Sequence, residues 1–490
     1  MEDSKLIQTL KTFTKDELKL FEKFVSSPYF NNGRNYIPFL TEIKKHYPSF
    51  ENRNGNFTSE NIYSQLYPGR KFNKQVIWNQ ISELEKLAIE FLLQTSLKKN
   101  RSERFTLVFE ELSKRNLDKQ IFKEIERTDK YISNIKLGEE YFSLKWIIEN
   151  NKADYWNSVQ GRQDKTFEGT IKSTEYLLLK FLVDLSVQVW DLHILNIMYN
   201  TGNEIKSAIG LIKSLDLKKF VQNAEKEKNE YSPLINFYYN KIMCALDETN
   251  ESYFFEMREY FDKNYHLFDE REQSNSIITL ANYCAHKMRL GNRKFLKILF
   301  EINNFRIEKE IGIYLNGRIN KSLYHQMIRN ALSLGEIKWA ENFVKKFTPK
   351  LKKEHQKTMS SMAMGYICYA KKDFVNSLKY LNNVEFIDLR DKLHFRILSA
   401  KANYELNNTE LLFYFIDSSK HFIGKNPSID INTKESYLLF FKYLNRLLTC
   451  KENPEQKKLS SLKEDIDLDS LLRLRHKSWL LEKLCELSKN

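Results

Sequence analysis

Apolar residues recur at intervals of three and four along most of this 490-residue chain, and from about residue 105 onward no period-two alternation runs long enough to support a sheet. Runs of helical period cover 142–148, 176–189, 234–246, 277–290, 436–448 and 471–487, joined by short connections carrying Asn, Asp, Gly or Lys. With only 14 glycines and 8 prolines, the chain has few places to turn, so its helices are expected to be long. Hydrophobic residues make up 42%, enough for a sizeable core. The expected fold class is all-α.

The N-terminal hundred residues have a different texture. Pro28, Pro38, Pro48 and Pro68 fall there, and no proline follows between 69 and 232. Thr14 and Glu17 have capping-box spacing ahead of Leu18, Phe21 and Val25, which predicts a helix ending near Ser27-Pro28. Further helices are predicted over 36–47, 59–66 and 74–94, the last with Ile77, Ile81, Leu84, Ala88 and Phe91 on one stripe behind an Asn73 cap. The Lys98 to Glu103 stretch is the candidate boundary. The domain reading is therefore a helical domain over 1–104 and a helical array over 105–490, closed by a C-terminal capping helix.

Lys and Arg exceed Asp and Glu by 78 − 64 = 14, which permits an acidic partner. The excess is spread, however, with basic and acidic knots alternating, and a mixed solvated helical surface accounts for it. The richest apolar stretch, 176–190, contains Lys180 and Asp184, so no segment is expected to span a bilayer. No basic-then-apolar leader opens the chain, and a cytoplasmic location is expected.

Local signatures of chemistry are missing. The five cysteines lie 35 to 84 positions apart, no Gly-rich phosphate loop occurs, and no His-Glu-x-x-His or Glu-x-x-His pattern is present. His46 after Glu42 and His394 after Asp391 are lone pairs, better read as ordinary surface or core histidines. Asp465, Asp467 and Asp469 copy the start of a calcium loop, but its sixth and twelfth positions hold Ser470 and His476 instead of Gly and Glu. The expectation is a non-enzyme with no catalytic residue, no cofactor and no metal ligand.

Internal similarity is the most informative feature. In "AMGYICYAKKDFVNSLKYLNNV", from Ala363, Met364 and Gly365 are followed by Phe374, the small Ser377, Leu381 and Val384. This segment resembles a tetratricopeptide repeat, a helix-turn-helix unit of about 34 residues. A weaker copy has Gly335 in its turn and Ala340 at the close-packing point. A third, over 393–422, has Ala400 and Ala402 but no turn glycine. Ala340 to Ser377 is 37 residues, so the array is irregular. The whole chain is also similar to bacterial helical-repeat proteins with a Ser-Pro-Tyr/Phe-Phe-Asn element near the start, here Ser27 to Asn31. The resemblance implies a right-handed α-solenoid of helix hairpins and no activity; an unrelated helical bundle is the alternative.

In tetratricopeptide families the first helix of each pair lines a concave groove. By that carry-over, His325 and Arg329, then Met362, Tyr366 and Tyr369, then Arg396 and Asn403 would face a partner, although the two tyrosines could equally pack between repeats. Such a lining suits a peptide or protein segment with acidic groups or a free carboxylate. The expected function is a non-catalytic protein-binding scaffold. The alternative is a DNA- or RNA-binding regulator, because 58–92 resembles a helix-turn-helix, with Lys74, Gln75, Asn79 and Gln80 at the exposed start of its second helix. That segment is better read as an N-terminal cap that shields the first repeat's apolar face.

Overall fold

A computed structural model describes residues 1–52, 55–158, 161–199, 203–315, 317–385, 388–453, 455–469, 474 and 476–488. Among these residues the chain is all-α apart from one hairpin of two-residue strands, Tyr314–Leu315 and Arg318–Ile319, and an isolated bridge between Leu137 and Phe268. It divides into two compact units, Met1–Ser133 with Asn150–Val159, and Asn134–Glu149 with Gln160–Asn490.

In the first unit, the helices Lys5–Leu10, Lys15–Val25 and Ser59–Leu66 pack against the long helix Lys74–Lys99. The capping box forms as the sequence predicts: Glu17 N donates to Thr14 Oγ1 at 3.1 Å and Thr14 N to Glu17 Oε2 at 2.9 Å. Asn73 Oδ1 accepts from Gln75 N at 3.0 Å and starts the long helix. Phe13, Phe21 and Phe91 meet with ring centroids 5.5–5.6 Å apart, and their burial ties the helices Lys15–Val25 and Lys74–Lys99 to the connection that precedes the first of them. The Ser27 to Asn31 element is a single helical turn, Pro28–Asn31, whose buried Asn31 donates to Val25 O at 2.8 Å and accepts from Gly33 N. Within 98–103, Asn100 ends one helix, and its side chain accepts from Glu103 N at 3.2 Å to open the next, Arg101–Lys114.

The second unit is built largely of consecutive helix pairs. Glu270–Arg289 packs on Lys294–Glu308, Lys321–Ser333 on Ile337–Phe347, Lys353–Ala370 on Phe374–Asn382, and Leu389–Glu405 on Thr409–Lys425. One turn recurs between them. Gly291, Gly335, Lys372 and Asn407 all adopt the left-handed conformation with φ of 58–95°. Each time, the next N–H bonds back to the carbonyl five residues before it: Asn292 to Lys287, Glu336 to Ala331, Asp373 to Cys368 and Asn408 to Asn403. Asn407 thus supplies in the third unit the turn that its sequence lacked a glycine for.

Close packing within a pair follows the small residues. Ser377 is fully buried and its hydroxyl donates to Gly365 O at 2.8 Å, while a Cβ on Gly365 would meet Leu381 Cδ2 at 3.0 Å. Ala340 is likewise fully buried. First helices also touch one another: Lys321–Ser333 packs on Lys353–Ala370, and Lys353–Ala370 on Leu389–Glu405.

The last predicted helix is corrected. The periodicity predicts helix over 471–487; among the described residues the helix is Lys477–Leu487, preceded by His476 at φ 60°, outside the helical region. Residues 470–473 and 475 lie outside the described residues.

Candidate functional site

The proposed groove residues separate into two sets. His325, on Lys321–Ser333, packs its ring 5.1 Å from Tyr366 and 4.6 Å from His394, so three first helices meet at one histidine. Arg329, one turn further along, places Nη1 3.5 Å from His394 Nε2. Tyr369 Oη accepts from Trp479 Nε1 at 2.9 Å and donates to Glu405 Oε1 at 3.4 Å. Met362 is core, 1% exposed, packed with Leu381, Val384 and Leu398. Arg396 instead turns toward its own hairpin partner: Nη1 donates to Ser419 Oγ at 2.9 Å and the guanidinium lies 4.6 Å from the Phe422 ring centroid. Asn403 is buried at the turn, donating to Ser399 O and accepting from Asn408.

The face that holds His394 is completed by a residue the sequence reading did not select. Lys401 is seven positions on, two helical turns along the same side of Leu389–Glu405. Its Nζ lies 3.2 Å from His476 Nδ1 and 5.0 Å from the Trp479 ring centroid. Among the described residues neither Arg329 nor Lys401 has a carboxylate within ion-pair distance. Burial, reinforced by the Arg329 charge, brings the Lys401 ammonium down to about 7, so near neutrality it sits at its titration point. The same surroundings push the Tyr366 phenol up to about 12 and His325 down to about 3, burial leading in both cases. Arg329 and Lys401, which a counter-charge would hold in its protonated form, stand beside the neutral His325 and can accept an anionic group with charge-assisted hydrogen bonds.

The N-terminal candidates lie on the first unit. Lys74, Gln75 and Asn79 are exposed at the start of Lys74–Lys99, and Gln75 Nε2 donates to Asn79 Oδ1 at 2.8 Å. Gln80 is only partly exposed and donates to Tyr67 Oη at 2.8 Å, which fastens the helix to the preceding turn. Trp78, 59% exposed, borders an open hollow with Lys71, Phe72, Asn73, Lys74 and Gln75.

One further constellation has the makings of an ion site: His193, Glu248 and His286, from three separate segments of the second unit, bring one ligand atom each within 4.8 Å of the others. Separations of 55 and 38 residues leave no local spacing by which a motif search would find it. Among the described residues no helix is long and apolar enough to cross a membrane. The chain matches no protein-family model, no curated protein and no solved structure.

Proposed function

We propose that this chain is a non-catalytic, cytoplasmic protein-binding module of the tetratricopeptide-like kind, which takes a carboxylate-bearing segment of a partner protein. Arg329 and Lys401 carry this reading: two half-buried basic side chains, each without a carboxylate within ion-pair distance among the described residues, stand on first helices that converge at His394, and the lysine takes up its proton fully only when a counter-charge arrives. Taking charge into partial burial is unfavourable unless a counter-charge arrives, so an incoming carboxylate gains what a solvated lysine could not offer.

The test is to recover the tagged chain from its native cytoplasm, identify a stoichiometric protein partner by mass spectrometry, and rebind the purified pair. Arg329→Glu and Lys401→Glu should each weaken the pair at least about tenfold while circular dichroism and melting stay unchanged. Undiminished binding by both variants would remove the assignment.

A second reading is supported by the exposed Trp78 beside Lys71, Lys74 and Gln75, an aromatic and basic surface of the kind that stacks and neutralises nucleic acid. It requires that copurified material be lost on nuclease treatment and that Lys74→Glu with Gln75→Glu abolish its recovery.

A further inference from the structure

His193 lies on the long helix Gln163–Tyr199, Glu248 in the turn after Ser232–Leu246, and His286 in the last turn of Glu270–Arg289. The middle helix packs against both others, which brings the three side chains to one place. Glu248 stands between the imidazoles. Its Oε2 is 2.8 Å from His286 Nε2 and its Oε1 is 3.6 Å from His193 Nδ1, with the two rings 5.4 Å apart.

These separations suit a shared ion. Bonds of about 2.0–2.2 Å from zinc to nitrogen and oxygen place neighbouring ligand atoms of a tetrahedron about 3.3 Å apart, and the two measured separations bracket that value. The His193 and His286 side chains are 7% and 8% exposed, whereas the Glu248 side chain is 39% exposed, so an ion has a way in from the carboxylate side. His286 Nδ1 is buried with no hydrogen-bond partner, and Trp190 packs edge-on against His193 at 5.1 Å, fixing that ring. Two positive groups are near. Lys287 Nζ donates to the Glu248 backbone carbonyl and lies 3.9 Å from Glu251, which balances it, while Arg289 acts on His193 from further off.

We propose that His193, Glu248 and His286 bind a divalent transition-metal ion of the zinc type, with solvent in the remaining position. Two imidazoles favour such an ion over calcium or magnesium, which take oxygen ligands. Two neutral imidazoles and one carboxylate carry a single negative charge, enough to hold a dication. The ion would pin the Glu248 turn between two helices that no local sequence motif connects.

The experiment uses the full chain, stripped with a chelator, then titrated with zinc and, separately, with cobalt(II). The expected result is one ion per chain and the visible ligand-field bands of cobalt in a low-coordinate site. His286→Ala and Glu248→Gln should each weaken binding by more than about tenfold, the loss already typical of outer-shell partners. Helicity and melting of the ion-free variants should match ion-free wild type. Glu248→Gln alters a half-exposed side chain by one atom and keeps the test sharp if His286→Ala fails to fold. Cysteine 485 is exposed, so the series is repeated in a Cys485→Ser background. No stoichiometric retention by wild type, equal affinity in Glu248→Gln, or binding lost only with Cys485→Ser would each overturn the assignment.

Discussion

Lys241 and Glu272 are 1% and 3% exposed and meet at 2.7 Å, with Ser276 Oγ also donating to Glu272 at 2.8 Å. Two charges removed from water hold each other at little net gain, but removing one leaves the other stranded. Lys241→Met is therefore expected to lower stability by about 3–5 kcal/mol, and Lys241→Met with Glu272→Leu by clearly less than the sum of the single changes. Denaturant unfolding of the three variants measures this, and simple additivity would contradict it. His325 gives a pH-dependent counterpart. Burial, with Arg329 and Arg390 nearby, lowers it to about 3 from an ordinary 6.5, so the unfolded chain binds a proton that the folded chain refuses. Its contribution is whole above pH 6.5 and is lost as pH falls from there toward 3, at up to about 1.4 kcal/mol per unit. The penalty of His325→Gln, measured at pH 7 and again at pH 5, should shrink by about 2 kcal/mol; a constant penalty would show that His325 protonates freely in the folded chain.

At the level of the helices, the turn residue decides how much of the array can be read from sequence. Helix periodicity made the elements legible: the capped starts at Thr14 and Asn73 form as predicted, and the close approach at Gly365 and Ser377 is where small residues announced it. The array's regularity was hidden because the left-handed position accepts Gly335, Lys372 and Asn407 alike, provided the two back-bonds to the helix form. A glycine search sees only the first. Gly335→Ala should cost about 1–2 kcal/mol because alanine pays the left-handed penalty at φ 79°, whereas Lys372→Gly, at φ 62°, should raise stability by about 0.5 kcal/mol. Opposite shifts in melting temperature are the check, and a loss at both positions would refute the equivalence of the turns. The candidate sites were less legible for a related reason. Carry-over pointed at Arg396 and Asn403, but the face that meets His325 is set by His394 and runs on to Lys401, a register that helix spacing alone leaves open. The His193, Glu248 and His286 group exists only because of which helix ends become neighbours.

For the whole molecule, the charge excess of 14 invites a nucleic-acid reading, yet many lysines are already engaged by a carboxylate three or four positions away on their own helix, as in Lys45 with Glu42, Lys86 with Glu83, Lys172 with Glu168 and Lys263 with Glu259. Such exposed pairs add little stability, but they lower the potential of the faces that carry them. Arg329 and Lys401 differ in being half-buried and without a carboxylate partner among the described residues. The two readings therefore separate by ionic strength. Neutralising six to ten phosphates costs about 10³–10⁵ in affinity between 50 and 200 mM salt, through the counterions that return to the nucleic acid. A single carboxylate held between two partly buried cations is screened far less, since the ions that screen over about 10 Å in solution cannot enter. Affinity for the purified partner should fall by less than about tenfold over that range, and Lys401→Glu should remove most of the binding at both ends of it. A steep salt slope that Lys401→Glu leaves untouched would move the function from this face to the basic surface around Lys74 and Trp78.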